Sequence, residues 1–522
     1  MRPVRALPLI GLLAALVAPT PGLARAPSSR SSGAAAPAAI VQGLPADRAW
    51  QNDVHHRAQH LVDAGFVAGM SIAVTRGDRV VYVGSFGVAD TDSGRRVDEH
   101  TRFYIASTTK ALTAAAVLLQ ASRGALQLDA PISHYLPDLA FKAPLRADAI
   151  TVRDLLSMTD GIDACLPVVF RTAYTGVFTP SGLMALMAQC GPSPTGRRFD
   201  YRNLPYNLLG MVLAPATTDG WKAVVRADVL APLGMTETTA RLSTLAPGRI
   251  ALPHEATGAG FRRIRLGKVD NNLHAAGAYF STARDLAQFV AAQVSDGRLD
   301  GHRVFPAGVL ASSYAQHAEQ DRDFGTYHRY GWGYGWDLGT YQGQTLVHRF
   351  GSFPGYRSHV SFMPERGLGV VILSNGLAEP FGIDDLADYI YDRLAATPDV
   401  ADTRYAAALQ QGERRKARYA EHLRKQRAIQ RARQQQPLAH PLAAYAGRYT
   451  NAQMGTLTWR LIAGQLDVTS GAARSRADIY DAATNQMRVE LTGGGEVVTF
   501  HFPDASAAAD SLQYSGYRFE RQ

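Results

Sequence analysis

Ser107-Thr108-Thr109-Lys110 sets a hydroxyl and an amine three residues apart at the head of an apolar run, and residues three apart on a helix share a face. A lysine so placed reaches the serine oxygen and takes its proton, provided burial and neighbouring charge keep part of its population neutral. Ser107 also stands where main-chain N–H groups lack intrahelical partners, so the same helix end can stabilise an oxyanion. The spacing alone arises by chance roughly once in a few hundred residues, and a capped helix with a solvated lysine would also produce it. The residues that follow weigh against that bland reading. Ala111, Leu112, Ala114, Ala115, Ala116, Val117, Leu118 and Leu119 leave almost no polar face, which predicts a helix central to a core.

Two other segments carry complementary groups. Tyr201-Arg202-Asn203 runs into an apolar helix. A tyrosine near a lysine loses its proton more readily, and Asn203 offers both an amide donor and an acceptor. His348-Arg349-Phe350-Gly351-Ser352 reads as a strand ending in glycine. Alternation sends either His348 or Arg349 to a given side. Gly351 would let a substrate lie against the strand edge, since no side chain stands in the way. A cation on that strand can hold a substrate carboxylate or lower the pKa of the lysine.

Positioning these groups requires a sheet and helices. Ser71 to Thr75 and Val80 to Gly87 are β-rich runs joined by Arg76-Gly77-Asp78-Arg79, which predicts a hairpin. Leu346 to Phe350, Ser358 to Met363 and Gly369 to Leu373 form three more runs, the last two separated by Pro364-Glu365-Arg366-Gly367. Helices are predicted over Thr151 to Met158, Pro180 to Cys190, Trp221 to Leu230 and Thr282 to Val294. Strands at both ends of a segment that is helical between them predict one antiparallel sheet built from its N- and C-terminal strands. Helices flank that sheet and a helical subdomain is inserted, an α/β (α+β layered) design.

The expected organisation is a leader over residues 1–26, a disordered lead-in over 27–45, a catalytic domain over 46–396, a basic helical linker over 397–437 and a small separate β domain over 438–522. Arg2 and Arg5, the apolar Leu7 to Ala18 and the exit Ala24-Arg25-Ala26 have the pattern of a secretory signal, so a periplasmic or secreted location is expected. The apolar stretch is short for a span, and no stable membrane insertion is expected. Only two cysteines occur, Cys165 and Cys190, and an oxidising compartment would allow one bridge between them.

The chain has 522 residues and a formal net charge of +9. That excess is local. Arg414, Arg415, Lys416, Arg418, Arg424, Lys425, Arg427, Arg431 and Arg433 against Glu421 supply nearly all of it, as a solvated helix face or linker would. No aromatic platform or groove-reading motif accompanies it, so no nucleic-acid partner is expected. His56 and His60 have helix-face spacing but no third ligand is evident, so neither metal nor other cofactor is expected. No G-x-S-x-G elbow is present for a Ser-His-Asp esterase.

Taken together, the ordered blocks resemble the serine β-lactamase and penicillin-binding-protein superfamily, in particular the class C β-lactamase-related branch. The resemblance runs from about Asp47 to Ala396. It also includes Phe103-Tyr104-Ile105-Ala106, the block Ile150 to Ile162 and the block Gly277 to Leu286. It implies that Ser107 is acylated, that Lys110 and Tyr201 shuttle protons, and that Asn203 binds a substrate amide. The N–H groups of Ser107 and Ser352 would form the oxyanion hole. The family's third motif is K-T-G or H-x-G, and the spacing to Gly351 puts Arg349 at its first position. That is a departure, because arginine keeps its charge and cannot exchange protons as histidine does. His348 would take the position after a change of register. The implied function is an exported serine hydrolase that cleaves an amide or ester in a small molecule or peptide, the candidates being a β-lactam, a D-amino-acid peptide or an ester. The alternatives are a family VIII-type carboxylesterase and a non-catalytic periplasmic binding protein on the same frame. Intact Ser107, Lys110 and Tyr201 count against the last. Oligomeric state is left open.

Overall fold

A computed structural model describes residues 48–214, 220–272, 274–395, 397–504 and 508–522. The leader and the lead-in expected over residues 1–45 lie outside the described residues. The hairpin forms as β1 (Gly69–Arg76) and β2 (Arg79–Asp90), with Gly77 at a φ of +55° where the two-residue turn demands a left-handed backbone. The remaining strands of that sheet are β3 (Arg95–Arg96), β4 (Ala318–Phe324), β5 (Tyr327–Trp332), β6 (Asp337–Tyr341), β7 (Gln344–Phe353), β8 (Tyr356–Met363) and β9 (Leu368–Ser374). Their order is β4-β5-β6-β7-β8-β9-β1-β2-β3, so the antiparallel pair β9 and β1 joins the two ends of the catalytic region in one nine-stranded sheet. Ile72 faces Ile372 in that pair, and Val360 faces Val371 in the next.

Helices cover both faces of the sheet. On one side α1 (Ala49–Asp63) and a helix over Gly382–Ala395 bury Val54, Leu61, Ile383, Leu386 and Ile390 against Ile72, Val74, Val370 and Ile372. On the other side lies α2 (Thr109–Ser122), eleven of whose residues are buried. Its Ala111, Leu112, Ala115 and Leu119 pack with the sheet residues Val347, Val360 and Val371. Its Ala114, Val117 and Leu118 pack with the inserted helices α3 (Val152–Ser157) and α4 (Leu204–Leu213). Each buried leucine contributes about 1.5–3 kcal/mol, and the alanines let α2 approach the sheet closely. Its apolar surround is thus the seam between sheet and helical insert, which places its first turn in the cleft between them.

Thr151 closes a capping box with Asp154 at the head of α3, and Thr282 caps the helix Ala283–Val294. The three outer strands β4, β5 and β6 were not foreseen in the sequence. Their residues are charged and glycine-rich, so the period-two apolar signal is weak there.

The basic segment is a helix over Pro398–Gln434, and it is not solvated along its whole length. Arg404 pairs with Asp392 at 3.0 Å, and Arg415 pairs with Glu379 and Asp385, both at 2.8 Å. Ala401 and Tyr405 are buried, because the acidic helix Gly382–Ala395 offers it both counter-charge and an apolar strip. Beyond it nine strands between Gly447 and Arg521 form a second antiparallel sheet, in which the first strand pairs with the last through Tyr449 and Arg521. This sheet has its own core around Trp459, Val468, Phe500 and Phe519. The layered design with a C-terminal β domain is therefore the one expected. Among the described residues no helix is long and apolar enough to cross a membrane.

Candidate active site

Ser107 lies in a 3-10 turn, Ala106–Thr108, that feeds directly into α2. Ala106 adopts a φ of +44°, a left-handed conformation that costs a non-glycine residue and persists only where surroundings enforce it. Those surroundings are identifiable. Ile105 N–H donates to Tyr279 O at 3.0 Å, Tyr279 N–H donates to Thr109 Oγ1 at 3.1 Å, and Ser358 Oγ donates to Ile105 O at 3.0 Å. Gly351 N–H in turn donates to Ser358 Oγ at 2.9 Å. A Cβ on Gly351 would stand on the Ile105 carbonyl oxygen, so strand β7 can press against the nucleophile turn only with glycine there.

Lys110 Nζ is fully buried and has three partners: Asn203 Oδ1 at 2.8 Å, Ala276 O at 2.8 Å and Ser107 Oγ at 3.1 Å. The first two only accept hydrogen bonds. A neutral amine has two N–H bonds and one lone pair, so with two acceptors satisfied the lone pair is left for the Ser107 hydroxyl. Burial lowers the pKa of Lys110, and the charge of Arg349 lowers it further, while Tyr201 opposes them.

Tyr201 brings its ring to 5.1 Å from Lys110 Nζ and 4.8 Å from the Arg349 guanidinium. Its hydroxyl is buried without a hydrogen bond of full geometry, yet Ser107 and Lys110 lie close enough to act on it. Burial resists ionisation of the phenol. Arg349 and Lys110 outweigh that resistance, and its pKa falls below the ordinary value. Lys110 and Tyr201 therefore titrate as one coupled pair beside the Ser107 oxygen. Asn203, the N-cap residue of α4, gives Oδ1 to Lys110 and keeps its Nδ2 donor for another group.

The structure separates His348 from Arg349. Arg349 faces Tyr201 and Trp332, and its side chain is only 7% exposed. Its Nε and one Nη donate to Phe350 O at 3.2 and 3.1 Å, and the other Nη lies 3.1 Å from Asp337 Oδ2. Arg349 thus acts on the site through its charge and is not an open clamp for a substrate carboxylate. His348 does not join the cleft. It lies on the opposite face, with its ring 5.3 Å from Tyr327 and 4.9 Å from Phe350, and its Nε2 accepts from Arg329 Nε at 2.9 Å. Burial pushes its pKa down to about 3, so it is neutral. Strand alternation excludes the pair from sharing a face, and Gly351 against Ile105 sets which of them points inward. Ser352 is exposed where β7 ends, next to Gly351.

Sequence reasoning missed Ser358, Ala276, Trp332 and Asp337. Ala276 lies just before the recognised block Gly277 to Leu286, which was a signal for it. Trp332 and Asp337 belong to the outer strands that carry no periodic signal. Cys165 and Cys190 are bridged, with Cα atoms 5.3 Å apart. His56 and His60 are exposed on α1, and among the described residues neither belongs to a group with metal-ligand geometry.

Comparisons with known proteins bear on the fold. Protein flp of Staphylococcus aureus (strain COL) is 24% identical over 327 residues, a match spanning 62% of this chain and 63% of that protein. The structure of an octameric penicillin-binding protein homologue from Pyrococcus abyssi is similar with a TM-score of 0.54 at 19% identity, over 90% of this chain and 99% of that one. The D-amino acid amidase from Ochrobactrum anthropi SV3, solved with D-phenylalanine, is similar with a TM-score of 0.54 at 23% identity, over 66% of this chain and 98% of that one. A family model described as Beta-lactamase matches residues 54–390, the stretch that holds the sheet, α2 and every group around Ser107, so the chain belongs to the Beta-lactamase family.

Proposed function

We propose that this protein is an exported serine hydrolase that opens an amide or ester through an acyl-enzyme on Ser107. The observation that carries the reading is that buried Lys110 Nζ lies 3.1 Å from Ser107 Oγ while Asn203 Oδ1 and Ala276 O accept its N–H groups, so that the neutral amine turns its lone pair to the Ser107 hydroxyl. The fold shared with an amidase adds support for the reaction class, and the signal-like residues 1–26 support export.

In acylation the coupled pair Lys110 and Tyr201 takes the Ser107 proton as Oγ attacks the substrate carbonyl carbon. The N–H groups of Ser107 and Ser352 are the assigned donors to the resulting oxyanion, and Asn203 Nδ2 is the assigned donor to a carbonyl on the acyl side. Collapse expels the amine or alcohol, which receives the proton through Tyr201. Attack of water on the ester, with the same groups relaying its proton back to Ser107, regenerates the enzyme. Burial and the charge of Arg349 both favour neutral Lys110, and that charge also favours ionised Tyr201, a task that needs a positive charge and no proton exchange.

A panel of nitrocefin, D-alanyl peptides and short-chain p-nitrophenyl esters tests this and ranks the bonds cleaved. At least one class is expected to turn over, and Lys110→Ala should lower kcat by about a thousandfold or more. Turnover unchanged in Lys110→Ala would contradict the assignment.

A further inference from the structure

Beyond the reacting groups, one lysine near them has no assigned role. Lys268 is partly exposed, and its Nζ lies 3.9 Å from the centroid of Phe353, 5.2 Å from that of Tyr104 and 5.3 Å from that of Tyr174. Tyr174 stacks on Phe353 with ring centroids 6.0 Å apart, and Tyr104 meets Phe353 edge-on at 5.2 Å. The cage adjoins the substrate edge from two directions. Phe353 follows Ser352 on β7 and shares the face of Arg349 and Gly351, while Tyr104 lies three residues before Ser107.

The amine is under-partnered for a charged group. Among the described residues its one hydrogen bond is to Ala173 O, whereas an ammonium has three N–H donors. Among the described residues no carboxylate pairs with it, and burial alone moves its pKa, down to about 7. Ring faces attract a cation but do not replace an anion, and an unpaired half-buried ammonium is costly. Arg349, the other cation of the cleft, is already committed to Asp337 and Phe350 O. The free capacity for an anion lies at Lys268.

We propose that Lys268, walled by Tyr104, Tyr174 and Phe353, is the specificity-determining residue of this site and takes a carboxylate borne by an acyl substrate with an apolar body. The proposal rests on the acyl-transfer reading for the position of the substrate. It distinguishes acidic substrates from those presenting a free amine, which the same ammonium repels.

The test compares mono(4-nitrophenyl) glutarate with its methyl ester, two substrates that differ by one negative charge. The ratio of their kcat/KM values should favour the acid in the wild type and fall about tenfold or more in Lys268→Met and Lys268→Gln, with Lys268→Arg retaining most of it. An unchanged ratio in both neutral variants would overturn the proposal, as would an equal loss in Lys268→Arg. Calorimetric binding of glutaric acid monoanilide to Ser107→Ala protein keeps the two readings apart. Binding lost on adding Lys268→Met supports the subsite even if no ester turns over, and binding that survives it overturns the subsite even if Ser107 is acylated.

Discussion

Arg349 brings a positive charge to the edge of the site, and that charge has a sign that kinetics can read. It favours neutral Lys110 and ionised Tyr201, so its removal should raise both pKa values. Lys110 would then become protonated at higher pH, and the acid limb of the kcat/KM profile of Arg349→Gln should move upward in pH, with a lower plateau. A pH–rate profile beside a thermal melt checks this, because the variant also leaves buried Asp337 with Arg329 as its remaining cation, a change of the kind that costs about 3–5 kcal/mol. At this scale the residue types were legible. The choice between His348 and Arg349 was not, since a strand's alternation names two faces and only its contact with Ile105 says which one meets Ser107.

The element that holds the chemistry together is the junction of β7 with the turn before α2. Gly351 allows the close approach, and Ser358 ties the turn to the strand by bonding both Gly351 N–H and Ile105 O. Gly351→Ala should push β7 from the turn and displace the Ser352 N–H from the oxyanion. The expected result is a loss of about a hundredfold or more in kcat with a smaller change in KM, read by steady-state kinetics. Undisturbed kcat would mean that β7 does not border the reacting atoms. The hairpin and the helices capped by Thr151 and Thr282 were readable because turn and cap residues act locally. Strands β4 to β6 were not, although they pair as consecutive hairpins, because their charged and glycine-rich residues leave little period-two apolar signal.

On the scale of the whole molecule, the C-terminal sheet braces the segment that carries Tyr174. Ala472 N–H donates to Thr175 O at 2.8 Å, Arg171 Nε donates to Gln453 O at 2.7 Å, and Phe170 meets Tyr514 with rings 5.8 Å apart. Gly471, at a φ of +58°, lies against the Thr175 carbonyl, where any Cβ would collide. Gly471→Val should loosen this contact, so that a single calorimetric unfolding transition in the wild type separates into two, the C-terminal sheet melting first. A single unshifted transition would show that the sheet is not coupled through this segment. The change in composition near residue 396 announced a second unit, but the counter-charges of the basic helix, Glu379, Asp385 and Asp392, lie in a segment that no motif marked.

All of these expectations depend on Ser107 being the atom that is acylated. Intact-mass spectrometry of the protein after brief exposure to a fluorescent penicillin or an activated ester, followed by peptide mapping, tests that most directly. The account predicts one acyl group per chain, located on Ser107 and absent from Ser107→Ala. Labelling that persists in Ser107→Ala, or a wild-type protein that takes up no acyl group from either reagent, would contradict it.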